Sequence, residues 1–166
     1  MDFKTWLQSV IKSGNLCDVY KDKAMDAKSK VALMKLCLDA NGASYLCEMQ
    51  AKGYPLSYET IKREFGAYIN GRYIGEYKND KGNGYTSSIY CNVDDVEVEI
   101  KTTLTTFLGC TIKIAVQDND FNKVYLDKNC NVEVYCPKSS RLIIEYWDGA
   151  NIKIMGNTNN IELIKH

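Results

Sequence analysis

The sequence predicts an α+β protein in which a helical N-terminal segment precedes an all-β C-terminal part. Over the first 70 residues, apolar side chains recur with the spacing i, i+3, i+4 and i+7 of an amphipathic helix. After Asn70-Gly71 the apolar side chains alternate with polar ones, as in half-buried strands. We therefore predict a helical subdomain over residues 1–70 and a β subdomain over residues 71–166.

The helical segment divides into five short predicted helices. Ser29 is the predicted N-cap of the third helix and Asn41-Gly42 its end, Gly53 ends the fourth, and Ser57 opens the fifth. The apolar residues expected to face inward are Phe3, Trp6, Leu7, Val10, Ile11, Leu16, Val19, Tyr20, Ala24, Val31, Met34, Cys37, Leu38, Leu46, Met49, Tyr58, Ile61, Phe65 and Tyr68. Helices joined by such short loops bury little alone, so we expect them to pack on the β subdomain.

The β segment is marked by apolar residues two apart, separated by turn residues. A hairpin tip is predicted at Lys81-Gly82-Asn83-Gly84. The strand patterns that follow are Val96/Val98/Ile100, Ile112/Ile114/Val116, Val124/Leu126, Val132/Val134, Leu142/Ile144, Ile152/Ile154 and Ile161/Leu163.

Two architectures are consistent with these strands. From Val124 onward, successive patterns begin 8, 10, 10 and 9 residues apart, which indicates a repeated strand–turn unit. Short strands at this spacing favour an antiparallel meander or sandwich. The alternative is a short β-solenoid, in which equivalent strands stack and asparagines in the turns form ladders.

Composition limits the classes of partner. The 21 basic and 21 acidic residues cancel, and the isoelectric point is about 6.6, so dominant nucleic-acid binding is not expected. No apolar run approaches the ~18 residues that a membrane span requires.

The cysteines and the N-terminus predict a cytoplasmic protein. None of the seven cysteines is in C-x-x-C spacing, the count is odd, and the chain begins without a secretory pattern. We therefore expect reduced, buried thiols in a cytosolic protein.

The sequence lacks the usual catalytic constellations. Its single histidine is His166, the last residue, so Ser-His-Asp and Cys-His mechanisms are not expected. No nucleotide-binding loop is present, and the cysteine spacing does not suggest a zinc site. We predict no enzymatic activity, no catalytic residues, no cofactor and no metal. Asp95, Glu97 and Glu99 share one face of a predicted strand, which we interpret as its solvated side rather than a cation site.

Three aromatic residues are candidates for protein contact. Tyr135, Tyr146 and Trp147 lie near predicted turns of the β segment, and exposed aromatic rings contribute much of the energy of interfaces. The competing interpretation places one ring in the core and another over a sheet edge.

A second hypothesis is DNA binding by residues 46–66. This segment is compatible with a helix-turn-helix pair in which Lys62 and Arg63 contact phosphates, although a structural pair of helices is favoured because Glu59 and Glu64 lie beside them. A third hypothesis is a small-ligand sponge that binds its ligand between protomers.

Three segments carry a resemblance. They are Tyr45-Leu46-Cys47-Glu48-Met49-Gln50-Ala51-Lys52-Gly53-Tyr54, Phe65-Gly66-Ala67-Tyr68-Ile69-Asn70-Gly71-Arg72-Tyr73-Ile74 and Tyr146-Trp147-Asp148-Gly149-Ala150. The chain resembles small uncharacterised proteins of gut Bacteroidales phages and prophages. The resemblance implies a phage or mobile-element product that is part of a virion or binds a host factor, and it transfers no functional residue.

The leading hypothesis from the sequence is a non-enzymatic protein-interaction module. It is expected to self-associate, as a homo-oligomer, or to dock on a protein partner through its β segment, because that segment is rich in strands whose edges need covering.

Overall fold

The computed structural model describes residues 4, 5, 8, 18–53, 57–64, 72–78, 84–118 and 120–166. Within them the helices are α1 (Asp18–Met25), α2 (Lys30–Leu38), α3 (Ala40–Ala51) and α4 (Tyr58–Glu64). The strands are β1 (Arg72–Lys78), β2 (Gly84–Cys91), β3 (Asp94–Ile100), β4 (Leu104–Leu108), β5 (Thr111–Val116), β6 (Phe121–Leu126), β7 (Asn131–Tyr135), β8 (Arg141–Tyr146), β9 (Asn151–Met155) and β10 (Ile161–Lys165). The order of helices first and strands second confirms the predicted α+β class.

The strands form two sheets. Sheet A has the order β1-β2-β4-β6-β8-β10 and sheet B the order β3-β5-β7-β9. Alternate strands of the chain are therefore neighbours, and every pairing from β2 to β10 is parallel. The favoured expectation of an antiparallel meander or sandwich is wrong, and the structure has the β-solenoid arrangement of the alternative. Each coil of the solenoid contributes one strand to each sheet.

The reason for the error lies in the period of the repeat. Strands at 8–12-residue spacing arise in both architectures, but equivalent positions here recur after two strands. Thus Asn131 pairs with Asn151 and Phe121 pairs with Arg141, each 20 residues on. One pair of the expected asparagine ladder is present: at the first residues of β9 and β7, Asn151 Nδ2 donates to Asn131 Oδ1 at 3.0 Å.

Among the described strands, only β1 and β2, which precede the first parallel pairing, form an antiparallel pair. β1 pairs with β2 in an antiparallel register that brings Lys78 opposite Gly84. This agrees with the hairpin expected around residues 81–84, although residues 79–83 lie outside the described part. β4 was not predicted, because Leu104-Thr105-Thr106-Phe107-Leu108 is buried on both faces and therefore has no alternation.

Two apolar cores lie on either side of sheet A. The inner core fills the solenoid between the sheets and includes Phe107, Val124, Val134 and Ile144. The outer core joins the helices to the other face of sheet A. The predicted packing of helices on the β segment is therefore confirmed, while the boundary expected near residue 70 falls in residues outside the description.

The helix boundaries follow local chemistry. Ser29 Oγ accepts the Ala32 N–H at 3.1 Å, as predicted for an N-cap. Gly53 ends α3 with φ of 73°. Asn41-Gly42 does not end a helix but lies in the first turn of α3, where a Cβ on Gly42 would collide with the carbonyl of Leu36. Val19 and Val31, expected inside, are exposed.

Counted from β2, each pair of successive strands forms one coil, so β6 and β7 belong to the third coil. Asp127, which lies between these two strands, links α4 to the third coil. Its buried carboxylate accepts hydrogen bonds from Tyr58 Oη at 2.7 Å, the Gly109 N–H at 3.0 Å and the Asn129 N–H at 3.1 Å. Gly109 has φ of 61°, and a Cβ there would overlap the Tyr58 ring. Through this contact α4 packs on the turn between β4 and β5 and on the turn between β6 and β7. We call the first three coils, β2 to β7, the supported coils.

Candidate interaction surface

The C-terminal end of the solenoid is stepped. β9 is the last strand of sheet B and β10 the last strand of sheet A, so β10 projects one strand beyond β9. Among the described residues no strand pairs with the outer edge of either one. We call β9 and β10 together the stepped end.

The inner face of the stepped end is incompletely covered. Val132 and Val134, which lie one coil earlier on β7, are 1% and 0% exposed. The equivalent Ile152 and Ile154 are half-buried, and Leu163 on β10 is 45% exposed. The apolar interior of the solenoid therefore reaches the surface here, opposite the position where sheet B lacks a strand.

Backbone groups point outward at the same residues. The Asn151 N–H donates to the Cys130 carbonyl, and the His166 N–H donates to the Tyr146 carbonyl, each at 2.9 Å. Because the backbone groups of successive strand residues point to opposite sides, the N–H and C=O of Ile152 and Ile154 point away from β7. Those of Ile161 and Leu163 point away from β8 for the same reason. As far as the described residues go, the stepped end thus presents two free strand edges.

A row of alternating charges runs along the outer face of sheet B to the stepped end. Glu97, Lys113, Glu133 and Lys153 are successive register partners. Glu133 contacts Lys113 at 3.8 Å and Lys153 at 2.8 Å. The pKa of the Glu133 carboxyl is lowered mainly by the hydrogen bond from Lys153. The row ends on Lys153, a cation with an acid on one side only.

Side chains hold β10 against β8. His166 Nε2 lies 2.7 Å from Glu145 Oε2, and its ring stacks on Trp147 with 4.6 Å between centroids. Lys123 also pairs with Glu145. Although partial burial opposes it, the hydrogen bonds from Lys123 and His166 lower the pKa of Glu145. β10 is therefore a fixed part of the end and not a loose tail.

The three aromatic candidates lie in different environments. Tyr135 is 56% exposed on the outer face of sheet B, beside the exposed Met155 of β9. Tyr146 is half-buried and packs against the inner core. Trp147 is 5% exposed, belongs to the outer core and contacts Tyr125 edge-on. The structure therefore leaves Tyr135 as the accessible ring, which agrees with the competing interpretation for Trp147.

Lys62 and Arg63 lie in different environments on α4. Lys62 is half-buried on α4, and its Nζ lies 3.4 Å from the carbonyl of Asn92 in the first coil. Arg63 is exposed. Ile61 of α4 is fully buried and belongs to the outer core, so α4 packs on sheet A.

The described cysteines are buried free thiols. They are Cys37, Cys47, Cys91, Cys110, Cys130 and Cys136. Burial raises the pKa of Cys37 and of Cys110 to about 12 and raises that of the others as well. These thiols remain protonated near neutral pH and are poor nucleophiles. Within the described ranges no cluster of three or more His, Cys, Asp or Glu side chains is placed to hold a metal ion.

Sequence reasoning identified the strands of the stepped end but missed its polar residues, Lys153 and Glu162. A usable pattern exists in the sequence, because five of its apolar–charged–apolar triplets alternate in the sign of the charge, although Val98-Glu99-Ile100, which overlaps the first of them, repeats its negative sign. The five are Val96-Glu97-Val98, Ile112-Lys113-Ile114, Val132-Glu133-Val134, Ile152-Lys153-Ile154 and Ile161-Glu162-Leu163. The first four form the row on sheet B, and the fifth lies on β10 of sheet A.

Comparisons with known proteins add no relative to this description. No protein-family model, curated protein or solved structure matches the chain. None of the helices in the described part of the chain has the length and apolar character needed to cross a membrane.

Proposed function

We propose that this protein is a non-enzymatic protein-interaction module whose contact surface is the stepped end. The observation that carries the proposal is the coincidence of two free strand edges with an uncovered apolar interior at β9 and β10. A strand added beside β9 would gain backbone hydrogen bonds and would cover Ile161 and Leu163 with its own inward side chains. This is recognition by β-augmentation, in which the main chain supplies affinity and alternate side chains supply specificity.

The chemistry of the remaining polar groups supports a binding role. The buried thiols have raised pKa values, and the His166 ring is engaged by Glu145 and Trp147. On sheet B, Lys113 and Lys153 pair with Glu133 across neighbouring strands, and Glu99 accepts a hydrogen bond from Gln117. These groups stabilise the fold, whereas the outer edges of β9 and β10 have no neighbouring strand among the described residues.

The proposal includes the biological setting implied by the resemblance. A product of a phage or mobile element would use such a surface either within a virion or on a host factor. Both uses require a partner that offers an extended segment or a matching edge.

The proposal is tested by blocking the stepped end with Leu163→Asp. Leu163 is 45% exposed, so the aspartate remains hydrated in the isolated protein but would be buried in a complex. Val31→Asp, at a 58% exposed position on α2, is the matched control. Self-association is followed by sedimentation, and any protein retained on the immobilised chain is identified, purified and titrated against each variant.

The expected result is that wild type and Val31→Asp bind alike, whereas Leu163→Asp loses binding by at least about tenfold. The proposal fails if wild type binds neither itself nor a purified partner. It also fails if Leu163→Asp binds as tightly as wild type.

A further inference from the structure

We propose that the partner of the stepped end is a second copy of this chain, joined about a two-fold axis that runs parallel to the strands. Each copy's β10 pairs antiparallel with β9 of the other, so that sheet A of one copy continues into sheet B of the other. This inference rests on the proposed function and specifies the partner of that same surface.

The step makes the end self-complementary. β10 projects one strand beyond β9, and the vacant position beside β9 has the width of one strand, about 4.8 Å. A rotation of 180° about an axis along the strands exchanges the two sheets and turns the end over. The projecting β10 of each copy then enters the vacant position beside β9 of the other, at both sites at once. A single added peptide would fill only one such position.

The strand directions are compatible with this pairing. A coil has one strand in each sheet and returns to its starting side, so β9 and β10 run in opposite directions. Rotation about an axis parallel to the strands preserves each direction while exchanging the sheets. β10 therefore meets β9 of the second copy in antiparallel orientation. The outward backbone groups of Ile161 and Leu163 then face those of Ile154 and Ile152, as hydrogen-bonded pairs require.

One register satisfies the side chains as well as the backbone. It places Ile161 opposite Ile154, Glu162 opposite Lys153, and Leu163 opposite Ile152. Apolar residues then meet apolar residues on the inner face, and opposite charges meet on the outer face. Shifting β10 by two residues along β9 in one direction places Ile164 opposite Lys153, so the lysine has no opposite charge. Shifting it by two residues in the other direction places Glu162 opposite Asn151 and shortens the overlap of the two strands.

The charge row supports the same register. Glu97, Lys113, Glu133 and Lys153 alternate in sign across sheet B, and Glu162 of the second copy continues the alternation. Glu162 now pairs with Arg141 at 3.3 Å, and both side chains are exposed, so Glu162 can reach Lys153 without leaving a buried site. Within one chain Glu162 lies on sheet A, away from the charge row of sheet B. In the dimer Glu162 of the second copy becomes the fifth member of that row.

The apolar interior also closes. After the rotation the two β10 strands lie opposite each other in the two sheets, about 10 Å apart. Leu163, which is 45% exposed in the single chain, then packs against Ile161 and Leu163 of the second copy. The arrangement closes on itself, so the predicted assembly is a dimer and not a fibre.

The register is tested first by disulfide trapping. Residues 153 and 162 would form a non-hydrogen-bonded antiparallel pair with about 4.5 Å between Cα atoms, which lies within the range for a disulfide. We expect Lys153→Cys/Glu162→Cys to form a covalent dimer with oxidised glutathione as the oxidant. Within one chain these residues lie on opposite outer faces of the solenoid, so the bond reports contact between copies. Asn151→Cys/Glu162→Cys is the control for a shifted register, and wild type is the control for the native thiols.

The charges are tested by reversal and by double reversal. Lys153→Glu and Glu162→Lys are surface changes that keep the fold, and each places like charges opposite each other twice in the dimer. We expect each to raise the dissociation constant about tenfold. The variant with both changes should return to within about threefold of wild type, since it restores opposite charges between copies. Sedimentation velocity over the micromolar range measures these constants.

The outcomes separate the two proposals. A wild-type chain that remains monomeric over this range overturns the dimer, as does an open-ended series of larger assemblies. Equal crosslinking of the control pair, or a double reversal no tighter than the single ones, overturns the register. If the chain is monomeric yet a purified partner binds wild type and not Leu163→Asp, the proposed function stands and the dimer is wrong. If neither occurs, both are wrong.

Discussion

The two edges of sheet B differ in how they meet solvent. At the N-terminal edge, β3 carries Asp94, Asp95, Glu97 and Glu99, and its register with β5 shifts between Asp94 and Val96. Asp95 has φ of 55°, which bends the strand out of regular pairing. At the C-terminal edge, β9 pairs with β7 over all five residues and carries one charged side chain, Lys153.

Charges and bulges are the usual devices that prevent a free edge from pairing with another chain. β3 has a bulge and four acidic side chains, whereas β9 has no bulge and a single charge, Lys153. The two edge strands of sheet B therefore differ in the features that control pairing with another chain. The edge at β3 is protected by charges and a bulge, whereas β9 is regularly paired with β7 and has no further strand beside it among the described residues, as the proposed pairing surface requires. The same reasoning explains the acidic row of β3, whose Asp95, Glu97 and Glu99 are all exposed, as a protected edge.

The largest expected effect is a loss of folding stability at high pH, caused by the buried thiols, which all lie outside the stepped end. The described thiols lie between Cys37 and Cys136, before the stepped end, and burial raises their pKa values in the folded state. In the unfolded chain they ionise near pH 9.0, so the unfolded state binds fewer protons above that pH and stability falls. Stability from the thiols is fully present below pH 9 and is lost between pH 9 and the folded-state values of about 12.

Each such thiol costs up to about 1.4 kcal/mol per pH unit in this window. Urea unfolding measured from pH 8 upward tests this, with Cys110→Ala as the control that should flatten the slope. A stability independent of pH up to 11 would contradict the buried, protonated thiols.

Two matched truncations compare the supported coils with the end directly. Leu126 is 0% exposed in the third coil, and Leu163 is 45% exposed on β10. We expect Leu126→Ala to lower the free energy of unfolding by about 2–5 kcal/mol, and Leu163→Ala by less than about 1 kcal/mol in the monomer. Chemical denaturation at low protein concentration measures both. Equal losses would show that the end is as well packed as the interior.

The link between α4 and the third coil is the next target. Asp127→Ala removes the acceptor for Tyr58, Gly109 and Asn129 and leaves buried donors without a partner. We expect a loss of about 2 kcal/mol. Amide hydrogen exchange should show lower protection in β2 to β6, approaching that of β9 and β10. Tyr58→Phe, which removes one donor and keeps the acceptor, should cost about half as much.

The smallest expected effect concerns the blunted edge. In a chain whose stepped end is blocked by Leu163→Asp, Glu97→Gln/Glu99→Gln removes two of the β3 charges. We expect weak, concentration-dependent association that the Leu163→Asp parent lacks, detectable by sedimentation, because the bulge at Asp95 still limits pairing. If the two behave identically, the bulge alone protects this edge.

Local features were largely predictable from the sequence. The Ser29 cap, the Gly53 stop and the strands at Val124/Leu126 and Val132/Val134 follow from chemistry within a few residues, and the structure has them. β4 was missed because a strand buried on both faces has no alternation to detect. Val19 and Val31 were assigned to the core because a helical stripe does not say which side is covered.

The candidate surface was less predictable. Tyr135 and Trp147 look alike in sequence as aromatic residues near turns, yet one is exposed and the other is 5% exposed beneath the helices. Which ring is covered depends on where α3 and α4 pack on sheet A, and no local pattern encodes that. The alternating charges of Glu97, Lys113, Glu133 and Lys153 are visible in the sequence, but they become a row only when strands some 20 residues apart are neighbours.

The sequence by itself determined the helical-then-β order, the positions of most strands and, for the strands with alternating side chains, the side that faces the core. These depend on hydrophobic periodicity and capping, which act over a few residues. The tertiary structure decided that alternate strands pair in parallel, that β10 projects beyond β9, and that Leu163 remains uncovered. Which strands pair depends on the free energy gained from burial and hydrogen bonding over whole coils. These contacts join residues far apart in the sequence, so no local pattern encodes them.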